Sequence, residues 1–134
     1  MLPFSLLQPF RHKRSSLGKS GERTAALYLK NKGFKILEMN YRNPRGKQLG
    51  EIDIIAKKGD TIVFVEVKTR KGEMGTVFPE DNLTPGKLRK LEKIATYYLQ
   101  SRHLRDSSYH FDAVTILIDK TGSTTIRHFE HIFV

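Results

Sequence analysis

Apolar positions recur along this chain with two periods, and the switches between them mark the elements. From Ser20 to about Lys32 the spacing is helical: Ala25, Ala26 and Leu29 form one stripe, Ser20 is placed to cap it and Gly33 to stop it. Glu22 falls on the same stripe, so the helix carries a carboxylate on its core-facing side. Phe34–Tyr41, Glu51–Lys57 and Thr61–Thr69 then read as strands, the last two rich in Ile and Val. A second helix is predicted from the capping pair Thr84-Pro85 to about Ser101, with Leu88, Leu91, Ala95 and Tyr98 facing inward. Phe111–Ile118 and Thr124–Phe133 are two more strands, joined by a turn at Thr121-Gly122.

This order predicts an α/β fold with a mixed central sheet flanked by helices. Three strands form an antiparallel meander, and the second helix crosses over to set the fourth strand parallel to the third. Residues 71–83 have no period and contain Gly72, Gly75, Pro79, Asp81 and Asn82, so they read as a long functional loop. Asn43-Pro44-Arg45-Gly46-Lys47 is a basic turn. Residues 1–16, with Arg11, His12, Lys13 and Arg14, read as a flexible basic tail ahead of a folded domain at 17–134.

The Gly59-Asp60 pair is a good two-residue hairpin loop of type II′. With those two residues as the loop, Asp53 lies opposite Glu66 and Glu51 opposite Lys68. The period of two puts all four on one face and Ile52, Ile54, Val65 and Val67 on the other. Facing residues have Cβ atoms ~4.5–5.5 Å apart, where like charges repel. Two carboxylates so placed share a proton or bind a cation. Oxygen ligands without His or Cys suit Mg²⁺ or Mn²⁺. Lys68 stands on the same face to hold a phosphate or orient a water, and Glu22 can reach the site from the first helix. The chemistry this suggests is metal-assisted attack of water on a phosphodiester. The bland alternative is a half-solvated hairpin face with a Glu51–Lys68 salt bridge.

Charge agrees with an anionic substrate. The 134-residue chain has a net charge of +10, and residues 1–50 hold 11 Lys and Arg against Glu22 and Glu38 alone. Such a field favours nucleic acid, an anionic membrane surface or an acidic partner, although a basic surface also serves solubility alone. Arg42, Arg45 and Lys47 are placed to line a groove. Lys87, Arg89, Lys90 and Lys93 lie on the outer faces of the second helix, and Arg70 follows the acid–lysine motif. There is no cysteine, which excludes disulfides, thiolate metal sites and cysteine nucleophiles and suits a reducing, cytoplasmic setting. No apolar run reaches the ~18 residues of a membrane span. The five histidines show no ligand spacing; His128 and His131, three apart on a strand, face opposite sides. Asp112 reads as a strand-ending hydrogen-bond acceptor rather than a buttress of the site.

Gly50-Glu51-Ile52-Asp53-Ile54-Ile55 followed by Phe64-Val65-Glu66-Val67-Lys68-Thr69-Arg70 resembles the PD-(D/E)xK nuclease superfamily, and within it the small bacterial YraN-like family. Gly21-Glu22 with Ala25 and Ala26, Asn40-Tyr41-Arg42 and Phe111-Asp112 share the likeness, which covers residues 18–134. Ile52 stands where many members have proline. The resemblance implies a restriction-endonuclease-like αβββαβ core. It implies Asp53 and Glu66 as metal ligands, Lys68 as the catalytic lysine, Glu22 as a helix-borne acid like that of Holliday-junction resolvases, and Lys87 as a substrate contact. It points to a Mg²⁺- or Mn²⁺-dependent nuclease on DNA, branched DNA included, for which a two-fold homodimer would suit. The alternative is a nucleic-acid-binding module that keeps the fold without the catalysis.

Overall fold

Gly59 has φ of 61°, a backbone that glycine takes without strain, and it closes the hairpin as expected. The strands it joins pair antiparallel in the expected register, from Lys58 opposite Thr61 to Ile54 opposite Val65. The computed structural model of the protein describes residues 16–42, 50–72 and 84–132. Within them lie α1 (Ser16–Asn31), β1 (Lys35–Arg42), β2 (Glu51–Lys58), β3 (Thr61–Lys71), α2 (Pro85–Ser101), β4 (Ser108–Ile118) and β5 (Thr124–Phe129). The basic tail, the 43–47 turn with Arg45 and Lys47, and loop residues 73–83 lie outside the described residues.

The sheet order is β1-β2-β3-β4-β5. All pairs are antiparallel except β3–β4, which run parallel because α2 carries the chain back across the sheet. Each helix covers one face. Leu91, Ile94, Ala95, Tyr98 and Leu99 of α2 pack on Ile52, Ile55, Ile62, Phe64 and Phe111. Ala25 and Leu29 of α1 pack with Phe34 on Ile54, Ala56, Val63, Val65, Val114 and Ile116. This three-layer arrangement is the restriction-endonuclease-like core that the resemblance implied. No helix among the described residues is long and apolar enough to cross a membrane.

Several boundaries differ from the sequence reading, each through a tertiary contact. α1 begins at Ser16, not after a cap at Ser20; Leu17 is half-buried against the cleft described below, and Ser20 sits inside the helix with its carbonyl accepting from the Thr24 hydroxyl at 3.0 Å. β3 continues past Thr69 to Lys71, and β4 begins at Ser108, because the two form a parallel ladder from Thr61–Ser108 to Lys71–Ile118. β5 stops at Phe129, after which His131 and Ile132 donate backbone N–H groups to Asp112 and to the Phe111 carbonyl. α2 starts where Thr84-Pro85 placed it: the Thr84 hydroxyl accepts from the Lys87 N–H at 3.1 Å, fixing Lys87 in the first turn.

Asp112 does not end a strand. It is fully buried inside β4, with Nδ1 of His110 and the backbone N–H of His131 on Oδ1, at 2.8 and 3.0 Å, and Nε2 of His128 on Oδ2 at 2.8 Å. An isolated buried carboxylate would be costly, so a full set of donors is what permits it there. Burial favours its neutral form, but the hydrogen bonds from His128 and His131 and the nearby His110 outweigh it and hold the pKa below the ordinary 3.8.

Gly21 faces β3 at close quarters. A methyl group on it would overlap the Thr69 hydroxyl and lie 3.1 Å from its Cβ. This contact brings α1 against the strand one residue before Glu22.

Two outcomes follow from this packing. Gly21→Ala in a helix ordinarily stabilises by ~1 kcal/mol. Here it should destabilise by about 1–3 kcal/mol through overpacking, and Gly21→Ala/Thr69→Ala should recover part of that loss in urea melts, a non-additive cycle. The lowered pKa of Asp112 means that its carboxylate contributes stability at and above the ordinary value of 3.8, lost as pH falls through the folded-state value. Asp112→Asn should therefore lower stability by about 2 kcal/mol at neutral pH, with the difference from wild type shrinking below pH 3.8. A gap that stays constant to low pH would assign the effect to shape rather than charge.

Candidate metal centre and its cleft

The β2–β3 ladder ends at Ile54–Val65, one pair short of the expected Asp53–Glu66 pair. The cause is a side chain. Asp53 Oδ2 accepts from the Val67 N–H at 2.8 Å, so a carboxylate takes the donor that a strand carbonyl would otherwise pair. The strands part there and the alternation slips. Ile54 and Val65 still face α1, but Ile52 faces α2, so the apolar face expected to carry Ile52, Ile54, Val65 and Val67 together is broken.

The parting opens a cleft of about 400 Å³ between the first turns of α1 and α2 and the open ends of β2 and β3. Glu22, Glu51, Asp53, Glu66, Lys68 and Lys87 all line it. The sequence reading placed five of these six in or near the site; it left Glu51 as the partner of Lys68. Within the cleft they sort into two groups. Glu22 is buried, Glu51 and Asp53 are half-buried, and one carboxylate oxygen from each lies within 4.8 Å of the others. Glu66 instead accepts from Lys87 Nζ at 2.9 Å and has Lys68 Nζ at 3.3 Å, all through Oε2.

The Glu51–Lys68 cross-strand bridge does not form. Glu51 Oε1 accepts from Arg42 Nε at 3.0 Å and Oε2 from the Asn40 amide at 3.1 Å. The reason is the register on the other side: Arg42 is opposite Glu51 in the β1–β2 ladder, which continues after β2 and β3 have separated. Glu51 and Asp53 stand two apart on one strand, the spacing that would have marked both as candidate ligands.

Lys87 is half-buried, and burial works against its charged form. The hydrogen bond and charge of Glu66, with the charge of Asp53, outweigh this and raise its pKa above the ordinary value of 10.5. Lys87 thus stays cationic in the cleft throughout the physiological range. Arg70 lines the cleft half-buried, with Nη1 on the Thr69 carbonyl at 3.3 Å, and Arg42 projects outward from the end of β1 with its side chain 75% exposed.

The donor set suits a hard divalent cation. All three groups are carboxylates with one oxygen each within 4.8 Å of the others, so a small closure would bring them onto one ion. Mg²⁺ and Mn²⁺ are among the cations that take such oxygen ligands. Lys68 and Lys87 make their closest pairings with Glu66, while Arg42 pairs with Glu51 of the acidic group, so positive charge stands beside the acids.

Comparison with known proteins places this arrangement in a family. The model of the family described as "Uncharacterised protein family UPF0102" matches residues 21–116. A UPF0102 protein of Caldicellulosiruptor saccharolyticus is 42% identical over 106 residues, covering 79% of this chain and 86% of its own. One from Syntrophus aciditrophicus is 44% identical over 105 residues, 78% of this chain and 79% of its own. One from Chlorobium limicola is 42% identical over 118 residues, 88% of each. A solved structure, that of SfsA from Pyrococcus furiosus in complex with Ca²⁺, covers 85% of this chain and 62% of its own at 15% identity and a TM-score of 0.40, a likeness too slight to bear on the site. The matched segment starts at Gly21, against which β3 packs, and runs to Ile116 in β4, taking in Glu22, Glu51, Asp53, Glu66, Lys68 and Lys87; this chain belongs to the UPF0102 family.

Proposed function

We propose that this protein is a divalent-cation-dependent nuclease that hydrolyses phosphodiester bonds in DNA, branched DNA included, at the cleft between β2 and β3. The observation that carries the reading is the joint placement of three carboxylates within 4.8 Å of one another and two lysines in the same cleft. The resemblance to PD-(D/E)xK nucleases, through Asp53, Glu66 and Lys68, supports the same chemistry.

In this reading Glu22, Glu51 and Asp53 hold Mg²⁺ or Mn²⁺. When bound, the cation supplies Lewis-acid polarisation of a phosphoryl oxygen and a more acidic water. Lys68 meets the charge that grows on the phosphoryl oxygens as water attacks. Glu66 keeps the ammonium groups of Lys68 and Lys87 aimed into the cleft. Lys87 and Arg70 hold the flanking phosphates, with Arg42 further out; Arg45 and Lys47, outside the described residues, are candidate contacts from the sequence alone. These contacts are to the backbone, so binding is electrostatic and largely independent of sequence. A homodimer would present two clefts to the two strands of a branched substrate.

One observation favours the second reading, nucleic-acid binding without cleavage. Glu66, the expected metal ligand, is paired with two lysines and is not one of the three acids whose oxygens lie within 4.8 Å of one another.

A digestion panel of duplex, single-stranded and four-way-junction DNA, and of RNA, with Mg²⁺ or Mn²⁺ separates these. Cleavage of DNA is expected, absent with chelator and abolished by Asp53→Asn. Lys68→Ala should slow cleavage by about 10²–10³-fold while leaving cation binding in place. Affinity without cleavage would select the binding module. Cleavage unaffected by Asp53→Asn would overturn the site, and preferential cleavage of RNA would correct the substrate.

A further inference from the structure

Asn40 holds an unusual place in β1. Its φ of 54° is in the left-handed region, in the middle of a strand otherwise paired with β2. The pairs Met39–Ile54 and Tyr41–Ile52 flank it, so Asn40 falls across from Asp53. A non-glycine residue in this conformation marks local strain that the surroundings must hold in place, and asparagine tolerates it better than most. What the strained backbone does is aim the side chain. Asn40 Nδ2 donates to Glu22 Oε1 at 3.0 Å and to Glu51 Oε2 at 3.1 Å.

An amide nitrogen carries two protons, and here each goes to a different carboxylate. Glu22 comes from α1 and Glu51 from β2, so one side chain of β1 ties two elements together at the acids they bring. Two carboxylates this close repel each other. The bridging amide offsets that repulsion without adding charge, and it engages one oxygen of each acid. The contact is half-buried, which strengthens it relative to the Arg42–Glu51 pair, whose arginine side chain is 75% exposed.

We infer that Asn40 is the positioning residue of the cation site: it pre-assembles Glu22 and Glu51 at ligand spacing, so that less reorganisation is needed when a divalent ion arrives. This rests on the metal reading of the same cleft. Partners that orient the ligands of a metal typically contribute 10–100-fold to affinity. Asn40 acts through Glu22 and Glu51, not on substrate.

The test is Mn²⁺ binding by calorimetry on wild type, Asn40→Gly and Asp53→Asn, beside melting in chelator. Glycine accepts the positive φ, so Asn40→Gly removes the bridge while keeping the backbone. The expected result is wild-type binding, Asn40→Gly weaker by about 10–100-fold with the metal-free melting temperature little changed, and no binding by Asp53→Asn. Equal affinity in wild type and Asn40→Gly overturns the assignment of Asn40 alone. Absence of binding by wild type overturns the metal reading and this inference with it. A second measurement needs no variant. In a Mg²⁺ titration followed by NMR, the Asn40 side-chain amide pair should shift as the site fills; resonances unmoved at saturation would equally overturn the inference.

Discussion

The hydrogen bond from the Val67 N–H to the Asp53 carboxylate is the constraint on which the cleft depends. Up to Ile54–Val65 the hairpin is an ordinary antiparallel pair with apolar residues on both faces. At Asp53 the side chain satisfies a backbone donor of the neighbouring strand, and no strand carbonyl is needed there. β3 loses nothing in order by this, because its other edge stays paired with β4 as far as Lys71. β2 is likewise held on its far side by β1, out to Arg42–Glu51. Two strands can therefore separate between well-ordered neighbours, and the gap is a built feature of the sheet with polar groups at its mouth.

The helices then supply what the open strands lack. α1 approaches β3 closely because Gly21 has no side chain to meet Thr69, and that approach delivers Glu22 to the acids of β2. α2 begins at a capped turn whose first residues include Lys87, and that turn delivers the ammonium group to Glu66. Glu22 and Lys87 thus enter from opposite layers of the fold and meet the acids and Lys68 of the parted strands. The arrangement places three carboxylates that could hold a cation and two cationic side chains within one cleft, the charge pattern on which the proposed phosphodiester chemistry rests.

Much of this was legible in the sequence because it follows from local rules. The Gly59-Asp60 turn set the hairpin register, the period of the Ile and Val runs gave the strands, and Thr84-Pro85 marked the start of α2. Glu22 stood out as an acid on an apolar stripe, and it is buried beside Asp53. What was not legible depends on side chains reaching across elements. A period of two carried to the end of the hairpin predicts Asp53 opposite Glu66 and Glu51 opposite Lys68; it has no means of knowing that Asp53 bonds to Val67 and ends the ladder. Asn40 shared in the family likeness through Asn40-Tyr41-Arg42, but nothing pointed to its role, since an asparagine in a strand reads as a weak strand former until its positive φ is seen. The burial of Asp112 was hidden for a related reason: besides His110 on its own strand, its partners come from β5 and from the segment beyond, far along the chain.

The central claim is that the parted strands and α1 together build one cation site from Glu22, Glu51 and Asp53. Anomalous diffraction from crystals soaked in Mn²⁺ tests it most directly. The account predicts a single strong peak within bonding distance of oxygens from all three carboxylates, with Lys68 and Lys87 still beside Glu66 or turned toward the cleft. A peak held by Glu66 without Glu22 and Glu51, or no peak in the cleft at saturating Mn²⁺, would contradict it.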